Sequence, residues 1–66
     1  MNRIKDILKE QGRTQRWLAI KLDKSFVNVS NYCNNKVQPP LDVLSEIAKV
    51  LDVDIRELLK STKNDR

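Results

Sequence analysis

Apolar positions recur at helical spacing along most of the chain, and the polar residues between them cut it into short segments. Ile4, Ile7 and Leu8 follow the i, i+3, i+4 rule of an amphipathic helix, with Asn2 as the capping residue before them and Gly12 as the left-handed residue that ends them. Leu18, Ala19 and Leu22 form a second stripe, opened by the hydroxyl cap Thr14. Asp23 to Ser25 interrupts that stripe. Ser25 then caps a third helix in which Val29 and Tyr32 point inward at i, i+3, leaving Phe26, Val27, Asn28, Ser30, Asn31 and Asn34 for other faces. Pro39 and Pro40 stop any continuation and preset a fourth helix with the stripe Leu41, Leu44, Ile47, Ala48 and Leu51. Asp54 and Glu57 have capping-box spacing in front of Ile55, Leu58 and Leu59, which predicts a short fifth helix. The pattern predicts an all-α chain: one compact five-helix domain over 1–60, then a polar tail over 61–66 that is expected to be disordered.

Five helices joined by short turns need several residues of left-handed backbone, yet the chain has one glycine. Asp and Asn are the other residues that tolerate this region, and Asp23, Asn35 and Asp52 stand where the chain must turn. In the first helix Lys5 with Lys9 and Asp6 with Glu10 are like-charge pairs at i, i+4 that add no stability, so packing must hold this helix. Trp17 and Ile20 lie off the second stripe on a neighbouring face. They either widen a small core or form a contact surface for a partner.

Length confirms a single domain, because 66 residues bury only about 60% of the surface of the unfolded chain. The lone Cys33 excludes an internal disulfide, and no apolar run approaches the ~20 residues of a membrane span or resembles a signal h-region. A reducing, cytoplasmic setting and no membrane partner are expected. With no histidine, no base at a recognisable spacing from Cys33, no glycine-rich phosphate loop and no metal-ligand cluster, the chain reads as no enzyme, with no cofactor and no metal.

Charge sharpens the picture. Residues 1–38 hold eight Lys or Arg against three acids, and residues 39–66 hold five against six, so the part of the chain that carries the second and third helices is at +5 and the remainder at −1. From 24 to 41 there is no carboxylate, and a polyanion approaching that segment meets no like charge. An ordinary solvated surface is the plain alternative.

The segments together resemble the phage repressor and Cro type of helix-turn-helix domain, the Xre-like family of bacterial regulators. The resemblance runs from about Arg13 to Leu59. It is carried by Thr14-Gln15, Leu18-Ala19, Leu22, Ser25 and Val29, then by Pro39, Leu41, Leu44, Ile47-Ala48, Leu51, Val53 and the ending Asp54-Ile55-Arg56-Glu57-Leu58-Leu59. Independently of the likeness, two helices crossing steeply at a short turn need a small residue where they approach, and Ala19 stands ten residues before Val29. The chain departs from the family pattern where Asp23 and Asn35 replace glycines and where Cys33 replaces a common acidic residue, removing an internal polar bond.

The resemblance implies a sequence-specific, double-stranded-DNA-binding transcriptional regulator whose third helix, about 25–35, enters the major groove. Carried over residue by residue, Phe26, Val27, Asn28 and Asn31 face base edges. Gln15, Asn34 and Lys36 hold phosphates, with Arg13, Arg16 and Lys24 as electrostatic helpers. The competing roles are local capping for Asn28 and packing against the turn for Phe26. Without Arg or Lys in the third helix, Asn suits adenine and Val27 and Phe26 suit the thymine methyl, predicting an A·T-leaning half-site. One such helix makes few base contacts, so a homodimer on a palindromic operator is expected, with half-sites about 34 Å apart. Val43, Val50 and Ile55 are the candidate dimer surface, burial in the monomer being their other explanation. The alternative is a protein-binding helical module, such as an antitoxin that neutralises a partner toxin, or a partner of another regulator. Operator sequence, repression or activation, and target genes are not written in these residues.

Overall fold

The computed structural model describes residues 1–59, so the tail over 61–66, and Lys60 with it, lie outside the described residues. Four α-helices follow one another: α1 Ile4–Glu10, α2 Gln15–Leu22, α3 Phe26–Cys33 and α4 Leu41–Leu51, with a single 3₁₀ turn at Ile55–Leu58. The fifth helix of the sequence reading is therefore a 3₁₀ turn, four residues being too few for the i→i+4 ladder to outlast its ends. Its predicted capping box is present: Asp54 Oδ1 accepts from the Arg56 N–H at 2.8 Å, and Glu57 Oε2 accepts from the Asp54 N–H at 3.0 Å.

The predicted hydroxyl caps also form. Thr14 Oγ1 accepts from the Trp17 N–H at 3.0 Å and Ser25 Oγ from the Asn28 N–H at 3.1 Å. Each satisfies one of the orphan donors at a helix start and contributes about 1 kcal/mol. All four α-helices end in the same way. Gly12, Asp23, Asn35 and Asp52 adopt φ of 69°, 55°, 59° and 57°, and the following N–H reaches back five residues to Leu8, Ala19, Asn31 and Ala48 carbonyls at 2.9–3.0 Å. These are Schellman closures, which consume carbonyls that the helix leaves unpaired.

The helices bury one continuous cluster: Ile4, Ile7 and Leu8 of α1, Leu18, Ala19 and Leu22 of α2, Val29 and Cys33 of α3, five residues of α4, and Leu58. In α4 those five are Val43, Leu44, Ile47, Ala48 and Leu51. Leu41, expected in the stripe, is instead 72% exposed, although Val43 and Leu44 of the same turn are buried. Val43 takes its place at 7% exposure. Val43 is thus buried within the monomer, the other explanation given for it, while Val50 and Ile55 are partly buried against the core. On α3 the innermost residues are Val29 and Cys33; Tyr32 is half-buried at the core's edge.

Asn2 departs furthest from its expected role. Arg3, not Asn2, occupies the position before α1. Asn2 still accepts from the Ile4 N–H through Oδ1 at 3.1 Å, but it is 7% exposed and does far more. Its Nδ2 donates to the Tyr32 carbonyl and to Gln38 Oε1, both at 2.9 Å. Its N–H donates to Asn35 Oδ1 at 2.8 Å, and its carbonyl accepts from Asn35 Nδ2 at 3.3 Å. Next to it the Arg3 N–H meets the Leu58 carbonyl at 2.8 Å, within a bridge from Asn2 to Leu59. The first three residues thus tie the loop after α3 to the 3₁₀ turn, and among the described residues no buried side-chain N or O lacks a partner.

Candidate nucleic-acid interface

The surface that α3 presents begins at its capped N-terminus. Phe26 is 41% and Val27 65% exposed, and Asn28 lies beside them. The cap is built by Ser25 with the Asn28 backbone, so the Asn28 side chain is not spent on capping. One turn later Asn31 is half-buried, and it lines a small hollow of about 130 Å³ with Asn28, Tyr32 and Val37. The two amides at i, i+3 therefore share one side of the helix, and each carries both a donor and an acceptor.

Phe26 does not simply pack against the turn. The Arg16 guanidinium carbon, from the first turn of α2, lies 4.7 Å from its ring centroid. Arg13 stacks in the same manner on Trp17 at 4.0 Å, with Lys21 Nζ at 5.9 Å from that ring. Trp17 is half-buried against the core while Ile20 is exposed, so the two off-stripe residues of α2 have separate fates.

Gln15 lies at the start of α2, whose free N–H groups favour an anion. Beside it a hollow of about 280 Å³ is lined by Lys5, Leu8, Lys9, Arg13, Thr14 and Gln15, with no carboxylate among them. Lys5 and Lys9 line this hollow although the sequence pattern did not single them out. Their signal was the like-charge pair itself, retained at i, i+4 where packing does not require it and continued at the same interval by Arg13. Lys5 also reaches the far end of α3, its Nζ donating to Asn34 Oδ1 at 3.1 Å. Asn34 is exposed but spends its Nδ2 on its own helix, donating to the Ser30 carbonyl at 2.9 Å and to Ser30 Oγ at 3.1 Å, so it holds a cation in place as much as it offers its own donors. Lys36 is exposed just beyond the left-handed Asn35. Lys24 is half-buried, and its N–H closes α2. Around the uncharged α3 the fold therefore gathers Arg16, Gln15 and Arg13 on the α2 side and Lys5, Asn34 and Lys36 at the far end.

Cys33 lies at the inner side of α3, 1% exposed, and burial pushes its thiol up to about 11 against a smaller opposing pull from Lys5. It is a core residue, not a nucleophile at neutral pH. No group of three or more His, Cys, Asp or Glu gathers among the described residues, and none of their helices is long and apolar enough to cross a membrane.

Comparison with known proteins agrees with this architecture. A helix-turn-helix family profile matches residues 4–58. A crystal structure of a candidate DNA-binding protein from Bacteroides fragilis is 50% identical, with a TM-score of 0.85, over 88% of this chain and 94% of that one. No curated protein matches the chain.

Proposed function

The chain belongs to the Xre/Cro-like helix-turn-helix family, and from that premise we propose that it is a sequence-specific transcriptional regulator that lays α3 in the major groove of double-stranded DNA and pairs on a palindromic operator. The observation that carries this reading is the division of charge around α3. The helix itself has no charged residue between Phe26 and Cys33, while cations stand on both sides of it and no carboxylate occurs from 24 to 41. Phosphate contacts supply affinity without sequence information, and base edges supply selectivity. Phe26, Val27, Asn28 and Asn31 are the readers. Gln15, Lys36, Arg13, Arg16 and Lys24 serve the backbone, and Asn34 acts there together with Lys5.

The relative from Bacteroides fragilis, a candidate DNA-binding protein by its description, supports the same reading. For the dimer we place the contact on the C-terminal side, where Val50 and Ile55 remain partly exposed and Leu59 is 51% exposed. Electrophoretic shift with a salt titration tests the function. A steep loss of affinity with salt is expected, whereas salt-insensitive behaviour, or capture of a protein partner without DNA, would favour a protein-binding module. Sedimentation on operator DNA tests the pairing, and a single protomer per palindrome would sink it.

A further inference from the structure

On its own residues α3 can read little besides adenine and thymine, for it carries neither Arg nor Lys. The contact between α2 and α3 changes that inventory. Arg16 sits over the ring of Phe26 at 4.7 Å, at the head of α3 and beside the exposed Val27. A guanidinium stacked on an aromatic face gives up rotamer freedom before any ligand arrives, keeps its N–H donors free around its edge, and leaves its other face open. Among the described residues Arg16 joins no ion pair, so nothing competes for that edge.

We propose that Arg16 is a base-reading residue delivered from α2: its guanidinium edge donates two hydrogen bonds to O6 and N7 of a guanine, Phe26 holds it in that plane, and the C5 methyl of an adjacent thymine packs on the same cluster. The half-site then contains one guanine next to thymine within an otherwise A·T-leaning sequence. The proposal rests on α3 being the groove helix. It takes the place of the phosphate role given to Arg16 above, since a phosphate contact needs only the charge, which Lys supplies equally, and draws nothing from the stack.

The test is selection from randomised DNA with the full chain, using the wild type, Arg16→Lys, Arg16→Ala and Phe26→Leu, together with salt titrations. All three changes fall on exposed positions, and circular dichroism checks that each variant is folded. The wild type is expected to select one guanine. Arg16→Lys should keep the salt slope but lose about tenfold in discrimination at that base, and Phe26→Leu should weaken the same preference together with that for the adjacent thymine. Undiminished discrimination for the guanine in Arg16→Lys would overturn the proposal. So would uniform weakening of all sites by Arg16→Ala with a salt slope reduced by about one, which marks a phosphate contact. A wild type that selects no sequence at all would bring down the groove reading of α3 itself. A wild-type site without the guanine brings down only Arg16.

Discussion

Three of the four left-handed turn positions carry Asp or Asn, and they are not equivalent. Asp23 and Asp52 are exposed and form no side-chain hydrogen bond among the described residues, so glycine there relieves backbone strain at no loss of contact with them. Asp23→Gly and Asp52→Gly are each expected to raise stability by about 0.5–1 kcal/mol in urea unfolding. Asn35→Gly should do the reverse. Its Oδ1 accepts from the Asn2 N–H and from Gln38 Nε2 at 3.1 Å, and its Nδ2 donates to the Asn2 carbonyl, so the substitution leaves partly buried groups unpaired at a cost of about 1–3 kcal/mol. A stabilised Asn35→Gly variant would show that these bonds are dispensable. Cys33 offers a second measurement at this scale. Its thiol ionises near 9.0 ordinarily and is pushed up to about 11 in the fold. The folded state therefore binds the proton more tightly, its contribution is complete below pH 9, and it is lost as pH rises towards 11. Unfolding followed across pH 8–11 should show a steeper fall for the wild type than for Cys33→Ala, and equal slopes would refute the assignment.

The elements were legible wherever a local rule decides. Thr14 and Ser25 as caps, the turns at Asp23, Asn35 and Asp52, and the box of Asp54 with Glu57 each follow from chemistry confined to a few neighbours. What depended on distant partners was not legible. Leu41 and Val43 exchange roles within the first turn of α4, and helical period alone cannot say which edge of the stripe a neighbour covers. The reach of Arg16 to Phe26 and of Lys5 to Asn34 likewise joins different helices. Asn2 is the clearest instance: it was read as a cap, but four of its five hydrogen bonds go to residues at least 30 positions away. The side chain makes two of these four, from Nδ2 to the Tyr32 carbonyl and to Gln38 Oε1, so Asn2→Ala should cost about 1–3 kcal/mol and loosen the loop that carries Lys36. Hydrogen exchange at the Asn35, Lys36 and Val37 amides is expected to quicken in that variant before exchange in α2. Uniform quickening through the domain would mean that Asn2 supports the whole fold and not that loop.

At the scale of the molecule, the core and the charged surface occupy different parts of the same small body, about 34 Å in its longest extent. α4 and the 3₁₀ turn supply apolar packing, and the chain from 39 to 66 is at −1, while the cations of α1, α2 and the loops beside α3 surround that helix. Such a layout orients the protein on a polyanion before any base is read, because the acidic side is repelled as the basic side is drawn in. It also separates two kinds of substitution that a single affinity measurement would confuse. Lys36→Ala removes a charge beside the reading helix and should weaken operator and random DNA alike, reducing the salt slope by about one per protomer. Lys5→Ala should do the same, although the residue lies on α1, since its Nζ is held at the end of α3 by Asn34. Asn31→Ala removes no charge, so its salt slope should stay that of the wild type while discrimination between operator and mismatched sites falls by about 1–3 kcal/mol. Titrating all three variants against operator and random DNA at several salt concentrations separates the classes. If Asn31→Ala flattened the slope, or Lys5→Ala left it unchanged, the division between a charged surround and an uncharged reading helix would fail.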